Sequence, residues 1–442
     1  MLVAAVVAIA WANSPWSASY AEVWSTPLRV ELGGLLDLDH LSLRAWVNDA
    51  LMALFFLMVG AEIKREVVHG GLRDVRSVAL PLVAALGGMI LPALIFAALN
   101  AGGPAGQGWG IPMATDIAFA VGVVSLLGSR VPLSARIFLL TLAVADDIGA
   151  IVVIAVFYTG ELAMGWLAIA VAALVAILVM RRGDVRSLTP YLAVGALVWL
   201  ALLESGIHAT LAGVALGLLV PAWPLRSPRR YPREVRALVD RIELAYYDRL
   251  LTEEEFEANE SLIGEVARLS NLATSPLERL TRGLTPWVAF VIVPLFALAN
   301  AGVELSADSM GGLVSDPVTV GVGLGLVVGK TIGVFGGALV AVRLGLARLP
   351  VGTTWRHILG LAMVAGIGFT VALFIASISY ADPALADAAK VGILAGSLLS
   401  GLVGFVFLRA IPAPAAMPGS GSPGDLLNEP GPLSAAFAGA PR

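Results

Sequence analysis

The stretch Ile137-Phe138-Leu139-Leu140-Thr141-Leu142-Ala143-Val144-Ala145-Asp146-Asp147-Ile148-Gly149-Ala150-Ile151-Val152-Val153-Ile154-Ala155-Val156-Phe157 decides how the rest of the chain is read. About 20 apolar residues, each rising 1.5 Å, cross a hydrocarbon core of about 30 Å, so this run is a membrane-spanning helix. Asp146 and Asp147 fall near its middle. One Asp at such a helix centre costs roughly 2.5–3.5 kcal/mol on insertion. Two in tandem must face water, a cation, a basic partner or a shared proton. The plain alternative is a structural pair held by one buried base. Neighbouring helical residues diverge by about 100°, however, so a single partner rarely satisfies both. The pair therefore reads as a cation or proton site.

Composition generalises the reading. The 442 residues are 58% hydrophobic and 14% charged, with mean hydropathy +0.88. A soluble domain carries about 25% charged residues, so this is an all-α polytopic membrane protein. The absence of cysteine excludes disulfides and thiol chemistry. His40, His69, His208 and His357 lack metal-ligand spacing. No cofactor and no nucleic-acid partner is expected.

Outward from the pair, the apolar pattern predicts about twelve transmembrane helices. Residues 1–12 form a first helix whose opening turns are missing. Leu28 to Leu38 alternates around Gly33-Gly34 and reads as a small periplasmic hairpin, with an irregular loop as the alternative. Helices two to eight follow at about 44–66, 78–99, 107–127, 134–158, 162–180, 189–203 and 206–221, so that residues 1–224 make one membrane block. Residues 225–283 are rich in Arg and Glu and read as a cytoplasmic helical insert. Within it, Pro232 to Leu250 and Thr252 to Leu269 are amphipathic, and Thr252 with Glu255 fits a capping box. Helices nine to twelve follow at about 284–302, 317–342, 356–380 and 386–408, making the block 284–409. The tail, 410–442, is Pro/Gly/Ser/Ala-rich and reads as disordered. Lys and Arg gather in alternate loops, which places both termini in the cytoplasm.

Three further polar features stand at membrane depth. Helix four is interrupted at Gly110-Ile111-Pro112-Met113-Ala114-Thr115-Asp116, helix ten contains Lys330, and helix eleven breaks at Gly366-Ile367-Gly368. Broken helices expose positive N-terminal and negative C-terminal half-helix ends. If the breaks cross, Asp116 can neutralise the paired N-terminal ends and Lys330 the paired C-terminal ends. Helices three to five read plain, broken, ionisable; helices ten to twelve read ionisable, broken, plain. With seven spans between their starts, the triplets are inverted repeats, a layout typical of secondary transporters.

At these residues the chain closely resembles the NhaA family of bacterial sodium/proton antiporters, itself an established inverted-repeat example. The resemblance rests on Trp46-Val47-Asn48-Asp49-Ala50-Leu51-Met52-Ala53, Gly60-Ala61-Glu62-Ile63-Lys64-Arg65-Glu66, Ala114-Thr115-Asp116-Ile117-Ala118-Phe119-Ala120 and Leu127-Gly128-Ser129-Arg130-Val131-Pro132. It continues through Ala145-Asp146-Asp147-Ile148-Gly149-Ala150-Ile151, Gly206-Ile207-His208-Ala209-Thr210-Leu211-Ala212-Gly213, Pro294-Leu295-Phe296-Ala297-Leu298-Ala299-Asn300-Ala301-Gly302, Gly329-Lys330 and Gly366-Ile367-Gly368-Phe369-Thr370.

The resemblance implies a transporter rather than an enzyme: electrogenic exchange of Na⁺ (or Li⁺) for protons in a bacterial inner membrane, by a homodimer. Asp147 is then the principal cation and proton carrier, with Asp146 beside it as a transient Na⁺/Li⁺ ligand that pairs with Lys330 in one protonation state. Thr115, Asp116, Gly366 and Gly368 belong to the helix crossing. Glu62, Glu66 and His208 match positions linked to pH response. Three departures stand out: the short first helix, the long loop before helix nine, and Thr281 and Thr285 where acidic and histidine residues can occur. The last two bear on the pH profile, not on the exchange site. The competing classes are an intramembrane aspartyl protease, which needs Asp residues on facing helices; an organic-anion symporter; and a proton channel.

Overall fold

The computed structural model describes residues 1–28, 31–32, 36–37, 41–68, 70, 75–160, 162–185, 187–224, 235–239, 262, 264–266, 274–303, 312 and 315–412. Among the described residues, eight helices are long and apolar enough to cross a membrane: Leu43–Val68, Val78–Leu99, Leu133–Phe157, Met164–Arg182, Leu188–Ser205, Pro276–Asn300, Pro317–Arg343 and Pro383–Ala410. They are helices two, three, five, six, seven, nine, ten and twelve of the sequence reading. Three bent helix pairs are also apolar enough, each a broken span or a re-entrant segment. Leu2–Ala12 turns by 114° into Ser17–Ser25, Pro104–Met113 by 41° into Ile117–Leu126, and Trp355–Val364 by 44° into Phe369–Ser379. Helix eight is Leu211–Leu219, nine residues and too short to cross alone. A helical bundle and two internally broken spans match the expectation.

Several boundaries differ from it. Ser17–Ser25 forms a second short helix between the first helix and the hairpin, a stretch the sequence reading left unassigned. Glu31–Leu32 and Leu36–Asp37 do pair antiparallel, with Leu32 opposite Leu36. Helix nine starts at Pro276, not near 284. Ser275 accepts from the Glu278 N–H at 3.1 Å, Pro276 occupies the first turn and Glu278 faces the helix N-terminus. That is a standard helix start, hidden because Glu278, Arg279 and Arg282 read as part of the polar insert. Most of the insert, including Thr252 and Glu255, lies outside the described residues, as does the tail from 413.

Proline and glycine shape the bundle. Pro294 lacks a helix donor, and the wide π-type turn at Val288–Ile292 just before it absorbs the clash. A similar turn, Gly325–Gly329, immediately precedes Lys330. Helix three packs most extensively against helix ten. Gly87 and Gly333 lie at that seam, where a Cβ on either would strike the other's backbone; a Cβ on Gly337 would lie 2.5 Å from the Val83 carbonyl. Small residues thus let the first helices of the two triplets touch backbone to backbone. A second core joins helices six to eight with residues of helix two and Leu277 and Leu280 of helix nine.

Candidate functional site

The two breaks meet. In helix four, Gly106, Gly108, Gly110 and Pro112 are poor α-helix formers, and Pro104–Met113 winds as a 3₁₀ helix. Such runs seldom exceed about four residues. This one is held by two tyrosines that the sequence reading missed: Tyr158 Oη donates to the Gln107 carbonyl at 2.8 Å, and Tyr380 Oη to that of Ala105 at 2.6 Å. The chain then runs extended through Ala114 and Asp116 before Ile117 restarts the helix.

Asp116 serves both restarted helices. Its Oδ1 accepts from the Phe119 N–H at 3.1 Å, capping its own half-helix. Its Oδ2 accepts from the Thr370 N–H at 3.1 Å and the Thr370 hydroxyl at 2.5 Å, across the crossing. The Asp116 N–H donates to the Ile367 carbonyl at 2.6 Å. Ser397 of helix twelve, also missed, accepts from the N–H groups of Gly368 and Phe369 at 3.2 Å each. One carboxylate and one hydroxyl thus face the positive half-helix ends, as the macrodipole favours. Gly366 and Gly368 sit where side chains do not fit. A Cβ on Gly366 would meet the Leu326 carbonyl and Ser400 Oγ, and one on Gly368 would lie 2.9 Å from Leu326.

Lys330 pairs with Asp146, as the resemblance implies, and not with the paired C-terminal ends that the dipole argument offered. The side chain is 0% exposed, and Nζ donates to Asp146 Oδ2 at 2.5 Å. Thr115 contacts the C-terminal end instead: its hydroxyl lies 2.8 Å from the Ala365 carbonyl and 2.6 Å from the same Asp146 Oδ2. An ammonium in a low-dielectric interior is held by a full counter-charge more strongly than by carbonyl dipoles. Asp146 Oδ1 is buried with no hydrogen-bond partner. Asp147, 6% exposed, makes no hydrogen bond or ion pair among the described residues. Asp146, Glu62, Asp116 and Lys330 all lie within electrostatic reach of it. The site therefore holds one oxygen tied to a base and neighbouring carboxylate oxygens without partners.

The profile of the Na⁺/H⁺ antiporter 1 family matches residues 1–408. The chain belongs to that family. Among its relatives is a protein of Anaeromyxobacter sp. named Na(+)/H(+) antiporter NhaA, 48% identical over 413 residues, covering 93% of this chain and 88% of that one. Another, Na(+)/H(+) antiporter NhaA 2 of Sorangium cellulosum, is 45% identical over 419 residues, covering 94% and 87%. The antiporter MjNhaP1 of Methanocaldococcus jannaschii aligns at TM-score 0.48 and 14% identity, over 92% of this chain and 89% of that one.

The remaining candidates of this family member fall in two places. Glu62 and Glu66 sit on helix two, half-buried, and Glu62 lies within electrostatic reach of Asp147. Nearby, Lys64 Nζ donates to the Leu218 carbonyl at 2.6 Å, tying helix two to helix eight. His208 lies in the turn after helix seven; Gly206 adopts φ +82° there, and His208 Nε2 has no hydrogen-bond partner.

Proposed function

We propose that the chain is an electrogenic Na⁺(Li⁺)/H⁺ antiporter in which protons and Na⁺ compete for the Asp146–Asp147 pair. One observation carries this reading: Asp146 Oδ1 is buried without a hydrogen-bond partner on a carboxylate already tied to Lys330, next in sequence to the buried Asp147. A buried carboxylate is stable only when neutralised, and a proton or a hard cation can each do it. Asp147 is the primary carrier. Thr115 has one hydroxyl hydrogen and two acceptors. It donates to Asp146 while that group is ionised and paired with Lys330. When Asp146 takes up a proton, the hydroxyl is free to turn to the Ala365 carbonyl. One carboxylate trading one proton for one Na⁺ moves no net charge. The Asp146–Lys330 pair supplies the extra titrating group that electrogenicity requires. Rocking of one helix group against the other would expose the site alternately. The physiological role is sodium and pH homeostasis by a homodimer in the bacterial inner membrane, with both termini cytoplasmic.

Competition fixes the sign of the pH dependence. Lowering pH fills the carboxylates with protons, so the apparent KM for Na⁺ rises, on the order of tenfold per pH unit where one proton competes. The test is proton movement in proteoliposomes after a cation pulse, wild type beside Asp147→Asn. Na⁺ or Li⁺, but not K⁺, moves protons in the wild type and not in Asp147→Asn. Robust exchange in Asp147→Asn would remove Asp147 from the mechanism.

A further inference from the structure

At the end of the bundle that carries the hairpin, a cavity of about 430 Å³ lies between two separately braced groups of helices. On one wall, helices two and nine are tied by their amides: Asn48 Nδ2 donates to Asn300 Oδ1 at 3.2 Å, and Asn300 Nδ2 to Asn48 Oδ1 at 2.7 Å. Tyr20 of Ser17–Ser25 joins them, its hydroxyl lying 2.9 Å from the Leu298 carbonyl and 3.1 Å from that of Ala299. On the other wall, helix twelve is fixed to helix ten, where the Thr319 hydroxyl donates to the Ala388 carbonyl at 2.7 Å. Arg44 lines the cavity from the first wall, Asp387 and Lys390 from the second.

Arg44 is poorly served where it stands. It is the second residue of helix two, at the positive end of the helix dipole, where a cation is disfavoured. The side chain is half-buried, Nε is buried without a hydrogen-bond partner, and the guanidinium makes no hydrogen bond or ion pair among the described residues. A charge taken out of water is stable only when paired. Among the described residues, Asp387 is the one carboxylate lining the cavity, and it is only half engaged. Its Oδ1 accepts from Lys390 Nζ at 2.9 Å, and Oδ2 has no partner among the described residues. Arg44 and Asp387 both lie within electrostatic reach of the Tyr20 hydroxyl, yet they are not paired with each other. A guanidinium fork takes both oxygens of a carboxylate, whereas a lysine acts as a point charge.

We infer that Arg44 and Asp387 form a latch that closes this end of the bundle. When the two groups rock together, the guanidinium takes the Asp387 carboxylate in competition with Lys390. The inference rests on the alternating-access reading above. It makes two residues outside the exchange site a bias on the equilibrium between the end states. The chain has no cysteine, which opens a direct test. Spin labels at Ser25→Cys and Ala384→Cys, both exposed and one on each group, report the width of this end by double electron–electron resonance on the full chain in nanodiscs. Wild type gives a short and a long distance population. An ion pair at a half-buried place shifts such an equilibrium about two- to fivefold. Arg44→Gln and Asp387→Asn each lower the short-to-long ratio by that much, and the double variant lowers it no further than either alone. Lys390→Gln, which frees Asp387, raises it. Two populations whose ratio ignores Arg44→Gln or Asp387→Asn, or falls additively in the double variant, overturn the latch and leave the exchange reading standing. A single population throughout the pH range in which the protein exchanges shows that this end does not rock, and the latch falls together with the alternating-access reading.

Discussion

The two breaks bend their helices almost equally, by 41° in helix four and 44° in helix eleven, yet they are built differently. Helix four carries its own acid, Asp116, within the break. Helix eleven offers only Gly366-Ile367-Gly368 and borrows its charge: Asp116 from the opposite break and Ser397 from helix twelve. The architecture is repeated and inverted, but the chemistry is not. One carboxylate for two positive helix ends leaves the crossing dependent on a single residue. It also keeps the crossing distinct from the Asp146–Asp147 pair one helix away.

That asymmetry can be broken deliberately. Asp116→Asn is expected to have the largest effect. An amide presents an NH₂ group where a carboxylate oxygen accepted, so one helix end loses its partner. Hydrogen bonds to buried charge are worth about 1.5–3 kcal/mol each, so thermal unfolding should show a loss of about 2–4 kcal/mol. A loss below about 1 kcal/mol would make Asp116 an ordinary cap of helix four alone. Next come the glycines. Gly366→Ala forces a Cβ onto the Leu326 carbonyl and should cost about 1–3 kcal/mol by overpacking. Gly110→Ala, at the helix-four break, meets the Tyr158 hydroxyl at 2.9 Å, and a side-chain tip can move aside. Equal destabilisation of the two variants in the same unfolding assay would deny that helix eleven is the tighter break. The smallest effect is expected from Ser397→Ala. It removes one hydroxyl shared by two N–H groups and should cost about 1 kcal/mol. The loss should be smaller than that of Asp116→Asn; a reversed order would put the principal cap on helix twelve.

Much of this site was legible in the sequence because charge in a membrane is expensive. Asp116, Asp146, Asp147 and Lys330 stood out against apolar runs, and Pro112 with the paired glycines marked the breaks. Residues that cost little to bury left no such mark. Ser397 sits in an ordinary-looking helix, and Tyr158 and Tyr380 lie at helix ends where aromatic residues are common. The partner of Lys330 could not be chosen from the dipole argument alone, since carbonyl ends and Asp146 were both plausible acceptors at membrane depth. The start of helix nine was lost for the opposite reason. Its first turns are amphipathic, with Leu277 and Leu280 buried and Arg282 exposed, so average polarity concealed a capped helix. The bend after Ala12 had no signal beyond Ser14-Pro15.

The central claim is that Na⁺ and protons compete for the same buried carboxylates. It is tested most directly by following protons released when Na⁺ is added to weakly buffered, detergent-solubilised protein, with a pH-indicator dye. The account predicts release that saturates with Na⁺ or Li⁺, is absent with K⁺, and disappears in Asp147→Asn. Saturable Na⁺ binding with no proton release, across the pH range in which the protein exchanges, would contradict it.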